Sequence, residues 1–243
     1  MLKLRKITHH FSLFKMKSPK LSIATPTHSM KDRSYFLRRL LDSLWNQSFQ
    51  DFEIVVTDNS DDDTIEKICE WYKTGIRYFK NPIKGMAQNT NEAIRQSKGE
   101  LIKILYLDDY MAHDDALEKI VKHFSGQWLV SACTHNIKGE NITHQIHIPS
   151  YSEGIQTGNN TIGSPSVLTI KNDKPLMFDE EMTWMLDVVY YKQMYDKYGP
   201  PTILKDINVV IGLHSGQASN TMGDERKLWE HEYVKKKYNY ESN

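Results

Sequence analysis

The sequence predicts an α/β protein built on a mostly parallel sheet with helices on both faces. One observation is the alternation, from Lys20 onward, of short β-rich apolar runs with amphipathic stretches of about 10–15 residues, the pattern of right-handed βαβ units. The other is the composition: 243 residues, 39% hydrophobic and 26% charged, is ordinary for a globular chain. A chain of this length buries roughly 70% of the surface its unfolded form exposes, so it needs neither metal nor disulfide to hold a core.

Leu21 to Ala24 forms the first strand. Phe36, Leu37, Leu40, Leu41 and Leu44 then fall at helical spacing, with Asp32 or Ser34 at the N-cap. The cycle repeats through a strand at Phe52 to Thr57, a helix at Thr64 to Lys73, a strand at Ile76 to Phe79, a helix at Met86 to Ser97 and a strongly apolar strand at Leu101 to Leu107. A helix at Ala116 to Phe124 and a strand at Trp128 to Cys133 follow. Between Asn136 and Gly163 the chain turns polar and Gly/Ser/Thr-rich, and an irregular segment is expected. A strand at Ser166 to Ile170, a helix at Trp184 to Tyr198, a strand at Asn208 to Leu213 and a charged helix at Asp224 to Tyr238 complete the pattern. Lys235, Lys236 and Lys237 suit the negative end of that last helix's dipole. Residues 1–19 read as an N-terminal extension, 20–222 as one domain and 223–243 as a C-terminal helix.

Charge and cysteine content exclude several function classes. Lys plus Arg and Asp plus Glu both number 31, without the basic excess of a nucleic-acid footprint. Cys69 and Cys133 stand far apart with no C-x-x-C pair, so neither a disulfide framework nor a cysteine zinc site is expected, and a reducing, cytoplasmic setting fits best. No run approaches about 18 apolar residues. Residues 1–19 mix lysines and arginine with Leu, Ile and Phe. Such a basic amphipathic segment can lie on an anionic membrane surface, here the inner face, although a frayed extension is the commoner outcome.

Parallel sheets bind ligands beyond the carboxyl ends of their strands. The loop after the first strand, Thr25-Pro26-Thr27-His28, lacks the glycines of a dinucleotide fingerprint, and no phosphate-cradling G-x-x-x-x-G-K-[ST] loop occurs. What the loops carry is acid: Asp58 with Asp61-Asp62-Asp63 after the second strand, and Asp108-Asp109 after the fourth. Carboxylates gathered on one rim repel unless a cation intervenes, and hard oxygen ligands suit Mg²⁺ or Mn²⁺ with a bound diphosphate. Asp61, Asp62 and Asp63 are better read as charging and capping the next helix, which leaves Asp58 and Asp108 as the stronger candidates.

The stretches LSIATPTHS, LLDSLWNQSFQDFEIVVTDNSDDDT and GMAQNTNEAIRQSKGELIKILYLDDYM, in that order, resemble the inverting GT-A-fold glycosyltransferases of the family 2 type. IGSPSV, FDEEMTWMLDVVYYKQM and VVIGLHSGQASN add weaker matches, so the resemblance runs from Lys20 to Asn220. It implies a GT-A fold, a nucleotide-diphosphate sugar donor, UDP-linked by the family pattern, and a glycan or lipid-linked acceptor. Residues 20–110 would form the nucleotide-binding half and 111–222 the acceptor half.

By this resemblance Thr25 and Pro26 line the nucleotide pocket and Asp58 accepts a hydrogen bond from the base, as an ionised, acceptor-only carboxylate can. Gly85 permits close backbone approach, and Asn91 is similar to the family asparagine on the next helix. Asp108 resembles the last acid of the D-x-D motif that holds a divalent cation, Mn²⁺ or Mg²⁺. Tyr106 stands where the first aspartate usually does, with Asp109 as compensation. Asp187 resembles the catalytic base, with Glu180 and Glu181 as alternatives, and His214 the C-terminal histidine near diphosphate or metal. Gly163 and Ser164 would border the donor sugar and acceptor, and Trp184 would stack on a sugar. Two rival readings stay open: a catalytically silent GT-A module that binds nucleotide or glycan, and a sugar-phosphate nucleotidylyltransferase, against which the glycine-free TPTHSMKDR loop counts.

Overall fold

The computed structural model describes residues 18–72, 75–137 and 143–238. The first half alternates β1 (Leu21–Thr27), α1 (Arg33–Trp45), β2 (Phe52–Asp58), α2 (Thr64–Trp71), β3 (Ile76–Lys80), α3 (Met86–Gln96) and β4 (Leu101–Ile104). The second half continues with β5 (Tyr110–Met111), α4 (Ala116–His123), β6 (Trp128–Ile137), β7 (Thr143–His147), β8 (Leu168–Lys171), α5 (Leu186–Tyr198), β9 (Thr202–Leu213), α6 (Ala218–Thr221) and α7 (Asp224–Tyr238). Most of the extension at 1–19, with its expected membrane role, lies outside the described residues. Among the described residues no helix is long and apolar enough to cross a membrane.

One sheet carries the strands in the order β3-β2-β1-β4-β8-β6-β9-β5, with β7 paired to β6. β3, β2, β1 and β4 are mutually parallel, as the alternating pattern predicts. The crossovers through α1 and α2 move in one direction across the sheet and the one through α3 returns past β1. Right-handed connections therefore place α1 and α2 on one face and α3 on the other. β1 is buried along its whole length because it is central and covered on both sides. The predicted apolar stripe of α1, Phe36, Leu37, Leu40, Leu41 and Leu44, is its buried face.

The second half departs from simple alternation. β8 inserts antiparallel between β4 and β6, and β9 then runs parallel to β6. The fourth strand, expected to reach Leu107, ends at Ile104: the Leu105 amide still bonds the Ala24 carbonyl (3.0 Å), but the Tyr106 amide turns to the Ser166 hydroxyl (2.8 Å). Within the segment expected to be irregular, β7 forms by pairing with the far end of β6. Ser166, expected in a strand, lies in a 3₁₀ turn over Pro165–Val167, and α5 starts at Leu186, two residues later than its periodicity suggests.

Candidate active site

A cleft of about 660 Å³ opens where the loops after β1, β2, β4 and β9 meet the start of α5. Pro26 and His28 border it from β1, Asn59 from β2, and Gly85 from the start of α3. Tyr106 through Asp109 contribute from the end of β4, and Ser164, Trp184, Asp187 and His214 from the second half.

Asp108 and His214, 106 residues apart, meet at its rim: His214 Nε2 lies 3.0 Å from Asp108 Oδ2. The Gly216 amide donates to His214 Nδ1 (3.1 Å). Nδ1 is therefore the acceptor nitrogen, and Nε2 carries the proton given to Asp108. The Asp108 carbonyl accepts from Arg39 Nη2, and that guanidinium is stacked over Tyr110, 4.3 Å from the ring centre. Gly212 makes this turn possible, since a Cβ there would sit 2.1 Å from the Asp108 carbonyl oxygen.

The 3.0 Å between Asp108 Oδ2 and His214 Nε2 is that of the hydrogen bond between them, and a divalent cation held by both would replace it. Ligation by Nε2 would move its proton to Nδ1 and require the Gly216 amide to leave that atom. Among the described residues no group of three or more His, Cys, Asp or Glu gathers as a metal site. One carboxylate oxygen and one imidazole nitrogen would leave most positions of a divalent cation to phosphates and water.

Asp109, expected as a further ligand, is turned inward. It is 2% exposed, Oδ1 accepts from the Gly212 amide (2.9 Å) and Oδ2 from the Ser164 hydroxyl (3.4 Å). Burial and the neighbouring Asp108 charge raise its pKa well above the carboxylate range. Tyr106 is tethered through its hydroxyl to Thr90 (3.2 Å).

Asp187 stands in the first turn of α5, half-buried in the cleft wall. Oδ2 accepts from Asn160 Nδ2 and Oδ1 from the Val188 amide, each at 2.7 Å. Desolvation, with a smaller contribution from the Glu230 charge, lifts its pKa from 3.8 to about 7. A carboxylate in that range can take up a proton near neutral pH.

Of the other expected residues, Pro26, Gly85, Ser164 and Trp184 line the cleft, whereas Thr25, Asp58, Asn91 and Gly163 do not. Thr25 is enclosed within β1. Asp58 is fully buried and its two oxygens are occupied: Ser60 through amide and hydroxyl and Thr27 through its hydroxyl on Oδ1, Tyr78 and Lys80 on Oδ2. These partners hold its pKa below the ordinary value despite burial, and the carboxylate acts as a strut under the strand ends. Asn91 clasps the Phe178 backbone, accepting from its amide (2.7 Å) and donating to its carbonyl (2.9 Å). The Gly163 carbonyl is taken up by Tyr191 OH (3.0 Å) and Asn160 (3.1 Å).

Asp62 and Asp63 serve α2, as expected: Asp62 accepts from the Thr64 amide (3.0 Å) and Asp63 pairs with Lys67 (2.8 Å). Several cleft residues escaped sequence reasoning, among them His28, Asn59 and Asn160. His28 lies close enough to Asp108 and His214 to feel their charges, Asn59 follows the occupied Asp58, and Asn160 orients Asp187. His28 and Asn59 carried a usable signal, each standing just beyond the end of a parallel strand.

The model of the family described as "Glycosyl transferase family 2" matches residues 22–178. A GalNAc(5)-diNAcBac-PP-undecaprenol beta-1,3-glucosyltransferase of Campylobacter jejuni is 38% identical over 96 residues, covering 37% of this chain and 30% of that protein. The crystal structure of Staphylococcus aureus TarS 1-349 in complex with UDP-GlcNAc superposes with a TM-score of 0.63 at 20% identity, over 84% of this chain and 61% of that one. A mannosyltransferase, PcManGT, from Pyrobaculum calidifontis in complex with GDP-Man and Mn²⁺ gives 0.61 at 13% identity, over 94% and 66%. The chain thus spans under a third of the glucosyltransferase and about three-fifths of the TarS structure. These likenesses show the GT-A fold that the sequence motifs imply. With well over half its length matched by the family model, the chain belongs to glycosyl transferase family 2.

Proposed function

We propose that this chain carries the catalytic centre of an inverting glycosyltransferase that moves a sugar from a UDP-linked donor to a hydroxyl of a glycan or lipid-linked acceptor. The observation that carries the reading is the presence in one cleft of the Asp108–His214 pair and of Asp187 with its pKa raised to about 7. Residues 20–110 form the donor half and 111–222 the acceptor half.

Asp108 and His214 are the residues that would hold a divalent cation, which when bound would offset charge on the donor diphosphate. Pro26 and Gly85 border the nucleotide. With Asp58 occupied, Asn59 offers the amide acceptor that a base N–H needs. Trp184 presents a ring at the acceptor side. The acceptor hydroxyl attacks the anomeric carbon, the bond from that carbon to the diphosphate oxygen breaks with its electron pair leaving on the diphosphate, and Asp187 takes the hydroxyl proton. Asn160 keeps the Asp187 carboxylate aimed while it does so. Support for a nucleotide-sugar donor also comes from the neighbours' complexes, one with UDP-GlcNAc and one with GDP-Man and Mn²⁺.

Calorimetric titration with UDP, with and without Mn²⁺, on the parent chain and Asp108→Ala is the test. The expected result is binding that needs Mn²⁺ and disappears in the variant. Failure of UDP with binding of GDP or dTDP would replace the donor assignment, and failure of all three would overturn the reading. Metal-dependent binding with no sugar transfer to any acceptor would favour a silent binding module.

A further inference from the structure

The start of α5 has no side-chain cap from its N-cap residue. Its N-cap residue is Met185, whose side chain has no oxygen to accept from the unpaired amides of a helix start. The chain supplies the acceptor from 45 residues downstream. Glu230, on α7, is completely buried. Its Oε1 accepts from the Thr183 amide (3.0 Å), and its Oε2 from the amides of Trp184 (2.9 Å) and Met185 (2.8 Å). Arg226, one turn earlier on α7, donates Nε to Oε1 (3.0 Å) and Nη2 to the Glu181 carbonyl (2.6 Å). Four donors thus satisfy one buried carboxylate. Asp187 follows two residues after the last of these amides, and Trp184 lies among them.

We propose that Glu230 is a positioning residue for the reaction centre, fixing the 183–185 backbone so that Asp187 and Trp184 stand at the cleft wall, and that α7 is in this way an integral part of the active site. The proposal rests on the reading of Asp187 as the base, and it reaches beyond the segment matched by the family model, which ends at residue 178. A buried carboxylate with no positioning duty would be an expensive way to attach a C-terminal helix, because burying an ion demands several kcal/mol of compensation. Here the compensation comes from three consecutive amides of one strand-to-helix approach, which is what fixes their direction.

Three groups, two of them on neighbouring elements, act electrostatically with Asp187. Glu230 faces it from α7, Tyr106 from the turn after β4 and Tyr191 from α5 itself. Both tyrosines have raised pKa values and stay neutral in the range where Asp187 titrates. Arg226 balances Glu230 from the solvent side. Changing Glu230 or Arg226 therefore changes the field at Asp187 in opposite directions.

The test uses the full chain, with carboxyl-carbon NMR titration of Asp187, its resonance assigned by Asp187→Asn, and amide hydrogen exchange at 183–185. In Glu230→Gln the side-chain NH₂ cannot accept, so at least one amide loses its partner. Exchange there is expected to quicken about tenfold or more, and the Asp187 midpoint to fall because a negative neighbour is gone. Arg226→Met, which leaves the three amide bonds in place but removes the cation with its bonds to Glu230 and to the Glu181 carbonyl, is expected to raise the midpoint while quickening exchange at 183–185 much less than Glu230→Gln does. It serves if the first variant does not fold. Unchanged midpoints and exchange in folded variants would overturn the proposal. Turnover retained in Asp187→Asn would instead remove the base assignment and leave the Glu230 measurement standing on its own terms.

Discussion

Replacing Asp187 by asparagine is expected to abolish turnover and to make the fold more stable at alkaline pH. In the folded chain burial lifts this carboxyl from 3.8 to about 7, so the native state favours the protonated form. Below the unfolded value both states are protonated and that preference contributes in full. As pH rises from about 4 through about 7 the native carboxyl must ionise where it is poorly solvated, and the stability is lost. About three pKa units at 1.36 kcal/mol each set a ceiling of about 4 kcal/mol for what an uncharged isostere recovers. Two effects reduce it. The carboxylate faces the cleft, so solvent screens part of the penalty, and an amide keeps only one of the bonds from Asn160 and Val188, returning about 1 kcal/mol. A net gain of about 2 kcal/mol at pH 8 follows, or roughly 4–8 °C in Tm, shrinking to nothing near pH 4. Denaturant unfolding of both proteins at pH 5 and pH 8 measures it. A stability difference that is the same at both pH values, or an asparagine variant less stable at pH 8, would refute the electrostatic reading of this site.

Gly212→Ala drives a methyl into the Asp108 carbonyl and, at 2.8 Å, the Arg39 guanidinium. A loss of about 1–3 kcal/mol in stability is expected, together with weaker Mn²⁺-dependent UDP binding, and calorimetry showing parent-like binding would count against the Asp108 turn as the cation holder. Asn91→Ala leaves the Phe178 amide and carbonyl without their partners. It should lower stability by about 2 kcal/mol while leaving UDP affinity unchanged, and a large drop in affinity would restore the nucleotide role that the motif implies.

The elements legible in the sequence are those whose own residues pay for their burial. The stripe of α1 and the alternation from β1 to β4 could be read because every apolar position has one reason to recur. β7 could not, because its polar, short run is a strand only by virtue of pairing with β6. The apolar run Leu105–Leu107 misled in the opposite sense: Leu105 and Leu107 are buried and Tyr106 half-buried, yet the backbone leaves the ladder to form the Asp108 turn. In the site, the sequence motifs pointed to Asp108, Asp187 and His214, which all line the cleft, because such motifs single out residues by type and order. Asp58 and Asn91 share those motifs, but their side chains are consumed by Lys80, Ser60 and Phe178, which no local pattern announces. Glu230 was invisible for a related reason, since its value lies in three amides 45 to 47 positions away.

Asp108 and Asp109 illustrate how a turn separates two residues that the sequence presents as equals. Side by side and both exposed, they would form an acidic pair able to chelate a cation with no donor present. The turn prevents this by sending Asp109 inward to the Gly212 amide and the Ser164 hydroxyl, leaving the Asp108 side chain 19% exposed beside His214. Beneath Asp109 lies Lys103, fully enclosed, its ammonium donating to the Ser166 and Leu168 carbonyls. Desolvation lowers its pKa to about 7, and the charge of Asp109 opposes that fall. The inward carboxyl therefore belongs to the floor that ties β4, β8 and β9 together, and of the adjacent pair only Asp108 stays accessible at the rim. One carboxylate and one imidazole bind a hard cation weakly, with most of its coordination open to phosphate oxygens. A rim of this kind would favour cation and donor arriving together, which is why UDP binding and Mn²⁺ are expected to depend on each other in this chain.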